Sequence, residues 1–411
     1  MKRKFYIIIN FLFLFIIILN TFSFGLSYLE IPVWNESNLS TEVSTLSSKK
    51  VLTDKDLLSL ESTSAILIEE STGNILYEKN PHEKLYPAST TKIMSILIIM
   101  DNIKEGKISF EDKVACSEEA SNMGGSQIWL STNETLTVHE MLKAICVVSA
   151  NDCVYAMAEH IAGSEEAFVI LMNEKAKKLG MNNTTFKNCH GIDEKGHLTT
   201  AYDISLMARA LLTNHPEIKE YTTIWMDSLR NNESQLVNTN KLIRTYEGAT
   251  GLKTGSTSLA LYNLAASATR NNLSLISVIL KAPSSEIRFK EAKLLLDFGF
   301  NKYTNKVLNN KDDFHSNIPI SKGIKDSIDL IFEETTSVLI DKTNSNNIKS
   351  TISINENISA PIYKNDILGK IDYILNNNTI SSVNLIANED VPKKTFIKFT
   401  SELIKSYFNL L

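Results

Sequence analysis

Two short, mainly apolar runs, Ala65-Ile66-Leu67-Ile68-Glu69-Glu70 and Asn74-Ile75-Leu76-Tyr77-Glu78, flank Ser71-Thr72-Gly73 and predict a β-hairpin. After Pro87 the pattern changes. Ile93-Met94-Ser95-Ile96-Leu97-Ile98-Ile99-Met100 is apolar on nearly every side, which predicts a buried helix beginning just after the proline. Helical patterns recur at Thr137 to Val148 and Asp152 to Ala162, and Thr90 to Leu212 as a whole is expected to be largely helical. Strands return at Gly251 to Thr254, Tyr262 to Thr269 and Leu273 to Leu280, the last two joined at Arg270-Asn271-Asn272, and a helix is predicted over Ser285 to Phe298. Strands at both ends of a helical insert imply one antiparallel sheet packed against helices, an α+β domain over 61–300.

Beyond about Asn301 the spacing shortens. Ser327 to Phe332, Ser337 to Ile340, Lys349 to Ile354 and Ser382 to Ile386 are separated by Asn, Asp and Ser clusters and predict a small all-β domain, 301–390, with no candidate chemistry. In 391–411, Phe396, Phe399, Leu403, Tyr407, Leu410 and Leu411 recur at helical spacing while Lys394, Lys398 and Lys405 fall on the other side. A basic amphipathic helix of this kind suits the headgroup layer of an anionic membrane, or a docking face on the β domain.

At the other end, Lys2-Arg3-Lys4 precedes an almost wholly apolar run from Phe5 to Leu19 and the small residues of Ser23-Phe24-Gly25. Residues 1–25 therefore read as a secretory signal, its apolar core short of the ~20 residues a membrane-spanning helix needs. Residues 26–60, rich in Ser, Glu and Thr, read as an irregular lead-in. The formal net charge is -5, and removal of the signal takes away only basic side chains, so a modestly acidic body argues against nucleic acid as a partner. Cys116, Cys146, Cys153 and Cys189 show no Cys-x-x-Cys spacing and are expected to be buried free thiols. The seven histidines form no His-Glu-x-x-His or comparable cluster, so no metal is expected.

Candidate chemistry begins with Ser89-Thr90-Thr91-Lys92, where a hydroxyl and an amine one helical turn apart share a face. A serine is a poor nucleophile unless something takes its proton, and a desolvated lysine can do so near neutral pH. Ser149-Ala150-Asn151 lies between two helical patterns, and Lys253-Thr254-Gly255 with Ser256-Thr257 precedes a strand pair. Each motif alone fits an ordinary helix cap or turn. All three in one order, each in its expected setting, form the combination found in class A β-lactamases and penicillin-binding proteins.

Together, Tyr86 to Lys92, Ser149 to Asp152, Asn188-Cys189-His190-Gly191-Ile192-Asp193, Thr200-Ala201-Tyr202-Asp203 and Gly251 to Thr257 resemble the low-molecular-mass penicillin-binding proteins, and within them the serine-type D-alanyl-D-alanine carboxypeptidases. The likeness runs from about Ser64 to Phe300, and more loosely through the C-terminal third. It implies the serine β-lactamase fold, with a cleft between sheet and helical lobe. In that cleft Ser89 would attack the carbonyl between two D-alanines of a peptidoglycan stem and Lys92 would take its proton. Lys253 would depress the Lys92 pKa as a second cation, and the N–H groups of Ser89 and Ser256 would hold the oxyanion. Ser149 would relay a proton to the leaving amine and Asn151 would hold the substrate amide. Thr254 with Lys253 would bind the terminal carboxylate, and Gly255 would let the substrate backbone lie close. Arg288 reads either as reinforcement of the carboxylate site or as an exposed helix arginine. His190 reads as a structural histidine, and Gly124-Gly125-Ser126 as an entrance loop without chemistry.

The resemblance further implies covalent inhibition by β-lactam antibiotics, no cofactor, and a place at the outer face of the cytoplasmic membrane or in the wall. A β-lactamase is the main alternative. Class A enzymes deacylate with a Glu-x-x-Leu-Asn loop, whereas here Glu233-Ser234-Gln235-Leu236-Val237-Asn238 is one residue out of register and Ala150 stands where those enzymes carry aspartate. A D,D-endopeptidase or transpeptidase would use the same residues. A non-enzymatic wall scaffold would not require all three motifs intact.

Overall fold

A computed structural model describes residues 58–397 together with 400, 401 and 404. The expected signal segment, nearly all of the lead-in and much of the tail helix, including Phe399, Leu403, Tyr407, Leu410 and Leu411, lie outside the described residues.

Strands β1 (Ser64–Glu69), β2 (Ile75–Lys79), β3 (Ala249–Thr257), β4 (Leu261–Arg270) and β5 (Leu273–Ala282) form an antiparallel sheet in the spatial order β2-β1-β5-β4-β3. Successive side chains of a strand point to opposite faces, and here both faces are covered. Ile66 and Ile68 of β1 enter the core of the helical lobe, while Ala65 and Leu67 enter a second core. That second core lies against helix α6 (Ser285–Lys302), which contributes Leu295 and Leu296. The β1–β2 turn is closed by the Glu69 carboxylate, which accepts the N–H groups of Ser71 (3.0 Å) and Thr72 (2.7 Å).

The helical lobe contains α1 (Lys92–Lys104), α2 (Val138–Val147), α3 (Asn151–Ala162), α4 (Glu165–Lys178) and α5 (Ala201–Asn214). Helix α1 is buried from Lys92 to Met100, as its unbroken apolar run requires. Helix α2 starts in a capping box in which Thr137 and Glu140 satisfy each other's backbone N–H groups. The lobe is less helical than expected. Lys113–Ala115 pairs with Thr135–Thr137 as a two-stranded ribbon, and 179–200 is mostly irregular because Gly180, Gly191 and Gly196 take left-handed backbone there. A further hairpin, Met226–Leu229 with Ser234–Val237, was not predicted.

C-terminal to α6, a five-stranded antiparallel sheet comprises Phe314–Pro319, Ser327–Phe332, Asn378–Ala387, Ile367–Leu375 and Lys349–Ile354 in that order. Tyr303–Asn309 pairs separately with Thr336–Asp341. This region has its own apolar core, including Ile328, Leu330, Tyr373 and Leu385. All four cysteines are buried free thiols. Among the described residues no helix is long and apolar enough to cross a membrane.

Candidate active site

Ser89 sits in a 3-10 turn, Ala88–Thr91, that runs directly into α1. In such a turn positions i and i+3 eclipse, so Ser89 and Lys92 meet more squarely than on an α-helix. The turn is clamped to the sheet by Asn263 of β4, whose amide donates to the carbonyls of Tyr86 (2.8 Å) and Pro87 (2.9 Å) while its oxygen accepts from the Lys281 N–H (2.8 Å). Strand β3 approaches so closely that a Cβ on Gly255 would lie 2.8 Å from the Ser89 nitrogen. From the other side Gly191, at φ +94°, packs where a Cβ would come within 2.0 Å of the Ala88 carbonyl oxygen. Both glycines are therefore demanded by the nucleophile turn. For Gly255 this gives a reason for glycine that the sequence reading did not name, close contact with the nucleophile turn itself.

Lys92 is fully buried, and its Nζ lies 3.2 Å from Ser89 Oγ, 2.6 Å from Asn151 Oδ1 and 2.7 Å from the His190 carbonyl oxygen. Burial pulls its pKa down to about 7, partly offset by the nearby Cys189 and Asp152. Lys253, also buried, donates to the Thr254 carbonyl (2.9 Å). Its pKa is held well below the usual lysine value, first by burial and then by repulsion from Lys92. The expectation that Lys253 depresses Lys92 is thus altered: desolvation dominates at Lys92, and the mutual repulsion weighs on Lys253.

Asn151 is held on three sides. Its Oδ1 accepts from Lys92, its Nδ2 donates to Gly124 O (2.7 Å), and its backbone N–H donates to Ser126 O (2.7 Å). The Gly124-Gly125-Ser126 loop, assigned no chemistry from sequence, is what orients this amide. Ser149 has a left-handed backbone (φ 66°) and a buried hydroxyl with no hydrogen-bond partner among the described residues. It does not cap α3, whose N-cap is Ala150. Thr254 Oγ1 donates to Thr239 Oγ1 (2.8 Å), and Ser256 is exposed at the outer part of β3. Arg288 is buried, which rules out the exposed-arginine reading, and its guanidinium donates to the carbonyls of Gly255 and Asn263 at 3.2 Å each. Burial lowers its pKa to about 10.

A family profile described as D-alanyl-D-alanine carboxypeptidase matches residues 49–284, more than half of the chain. The chain belongs to that family. A second profile, the C-terminal domain of penicillin-binding protein 5, matches residues 303–393. The D-alanyl-D-alanine carboxypeptidase DacF of Bacillus subtilis is 43% identical over 346 residues, covering 83% of this chain and 89% of that protein. Penicillin-binding protein 5 from Haemophilus influenzae superposes with a TM-score of 0.67 at 31% identity, covering 82% of this chain and 98% of that one. The ampicillin-bound form of penicillin-binding protein D2 from Listeria monocytogenes gives a TM-score of 0.55 at 30% identity over 59% of this chain and 99% of its own.

Within the carboxypeptidase framework several supporting residues escape motif reading. Asp152, fully buried, accepts the N–H groups of Ile128 and Leu130 and so fixes the loop that holds Asn151. Asn263 and Glu165 act similarly, the latter accepting from the Cys189 N–H (2.9 Å) and lying 3.4 Å from His190 Nε2. Burial drives the His190 pKa down to about 3, so the ring is neutral, with Nδ1 accepting from the Ile192 N–H. The ring is buried and hydrogen-bonded within its own loop. Of these only Asp152 stood beside a motif. The Glu233 to Asn238 stretch forms part of the hairpin at 226–237, where the Asn238 amide is spent on the carbonyls of Ile224 and Thr222. No described hydrogen bond joins Glu233 or Asn238 to Ser89 or Lys92.

Proposed function

We propose that this chain removes the terminal D-alanine from peptidoglycan stems through an acyl-enzyme at Ser89. The observation that carries the reading is the buried Lys92 amine, 3.2 Å from the Ser89 hydroxyl with a pKa of about 7. An uncharged amine has two N–H donors and one lone pair. Asn151 Oδ1 and the His190 carbonyl take the two donors, which leaves the lone pair for the serine proton.

Ser89 Oγ adds to the carbonyl carbon between the two D-alanines as its proton passes to Lys92 Nζ. The oxyanion is held by the N–H groups of Ser89 and Ser256. Collapse breaks the C–N bond as Ser149 gives its proton to the departing amine and takes up the one held by Lys92 Nζ, so free D-alanine leaves, an ester remains on Ser89 and Lys92 is uncharged again. Water, deprotonated by Lys92, then cleaves that ester and restores the hydroxyl. Lys253 and Thr254 receive the terminal carboxylate, whose charge favours protonated Lys253, and that cation in turn favours uncharged Lys92. Arg288 keeps the Gly255 end of β3 in place, and Asn151 orients the base and borders the substrate amide. Penicillin acylates the same hydroxyl.

The proposal extends to organisation: a catalytic domain at 61–300, a β-rich domain at 301–390, export directed by 1–25, and peripheral membrane attachment through 391–411. The two profile matches and the basic amphipathic pattern of the tail support it. The test uses purified protein, a peptide ending in D-alanyl-D-alanine, and labelled penicillin. D-alanine release and one covalent label are expected, both abolished in Ser89→Ala with thermal unfolding unchanged. Label retained by the Ser89→Ala protein would refute the nucleophile assignment.

A further inference from the structure

The loop that carries His190 and Gly191 against the nucleophile turn makes a third contact with it further along, through His197. The backbone there is pinned on both sides of the ring. The His197 N–H donates to the Glu194 carbonyl (3.0 Å), Leu198 pairs with Thr185, and Thr199 pairs with Leu85 just ahead of Tyr86 and Pro87. The imidazole is 1% exposed and lies edge-on to Phe186, ring centroids 5.8 Å apart. Its Nε2 is 2.9 Å from Thr91 Oγ1 and its Nδ1 is 3.2 Å from the Lys187 backbone nitrogen.

These two contacts fix the tautomer. A backbone N–H can only donate, so Nδ1 is the accepting nitrogen of the ring. Burial pulls the His197 pKa down to about 4, against a smaller opposing pull from Asp193, so the ring is neutral and its one proton sits on Nε2. His197 therefore donates to Thr91. The receiving residue is fully buried and stands at the N-cap of α1, yet its hydroxyl caps no backbone N–H of the helix. The other side-chain clamps grip the start of the turn: Asn263 holds the carbonyls of Tyr86 and Pro87, and Thr90 Oγ1 donates to Pro87 O (2.7 Å). Among the described residues, His197 supplies the side-chain bond to the link between Ser89 and Lys92 itself.

We propose that His197 is a positioning residue for acylation, whose Nε2–H bond to Thr91 keeps the Lys92 amine in register with the Ser89 hydroxyl. The inference rests on the carboxypeptidase reading. A ring so deeply buried offers no surface to a substrate, so it acts through Thr91 and governs the covalent step rather than the binding that precedes it.

Two substitutions separate the two bonds of the ring. Glutamine places an amide NH2 near the position of Nε2 and can still donate to Thr91, whereas asparagine places an oxygen near that of Nδ1, accepts from Lys187 and stops short of Thr91. Stopped-flow labelling of Ser89 over a range of penicillin concentrations gives the limiting acylation rate and the half-saturating concentration. The limiting rate should fall about tenfold or more in His197→Asn, the worth of a lost hydrogen bond and a displaced nucleophile, with half-saturation within about twofold of the wild type. His197→Gln should keep the limiting rate within about threefold. Thr91→Val removes the same bond from its other end and should match His197→Asn, and the double variant should be no slower than either single one. Thermal unfolding is recorded for each protein. Equal losses in His197→Gln and His197→Asn, limiting rates that simply follow thermal stability, or wild-type rates in both His197→Asn and Thr91→Val would overturn the positioning role and leave the carboxypeptidase reading intact. A wild-type protein that takes up no label would overturn both.

Discussion

If Lys92 is the base, acylation must titrate with its amine, and the structure fixes both direction and size. With a pKa of about 7, half of the amines are uncharged at pH 7. A lysine at its ordinary value of 10.5 would be uncharged in only about one molecule in three thousand, so burial raises the supply of competent base by about a thousandfold. Because the uncharged form predominates above the pKa, the second-order rate constant for penicillin acylation should rise with pH. The populations differ about tenfold between pH 6 and pH 8. Lys253 titrates too, and its loss of charge would weaken the hold on the antibiotic's carboxylate. A β-lactam with that carboxylate esterified removes this contribution and isolates Lys92. Stopped-flow labelling of Ser89 across pH 5.5–9 supplies the measurement. A profile that stays flat through neutrality with the esterified compound, or that falls as pH rises, refutes the assignment of Lys92 as an uncharged base.

Gly255→Ala places a Cβ 2.8 Å from the Ser89 nitrogen with backbone on both sides, so the nucleophile turn must move. Misplacement of this kind should slow acylation by about a hundredfold, and a loss of less than threefold would show that the turn yields freely. Deletion of residues 391–411 should release the protein from liposomes containing anionic lipid in a flotation assay, and undiminished binding would remove the anchor proposal.

The three motifs were legible because each side chain has an unusual local reason to be where it is. Lys92 opens a buried, mainly apolar helix, Lys253 lies in the buried middle of a strand, and Gly255 stands where that strand touches another segment. The sheet could be read from the apolar runs of β1, β4 and β5, although residues buried on both faces lose the period-two alternation that would have given register. What escaped reading shares one property: its partner is distant in the chain. Asn263 clamps Tyr86 and Pro87, and Glu165 braces Cys189 and His190. Asn and Glu occur in any loop or helix, so their meaning appears only when the strands bring them together. The hairpin at 226–237 was missed for another reason. Its turn uses Arg230, Asn231 and Asn232 in left-handed backbone without a glycine to announce it.

Strand β1 lies in the interior of the sheet, where Ala65 pairs with Ile279. Its hairpin partner β2 can pair with one edge at once, but the other edge must wait for a strand synthesised more than two hundred residues later. Contacts of such long sequence separation form slowly, because the intervening loop must close before any reward arrives. During ribosomal synthesis the sheet therefore cannot assemble in order of emergence, and its topology locks only once the last of its strands has been made.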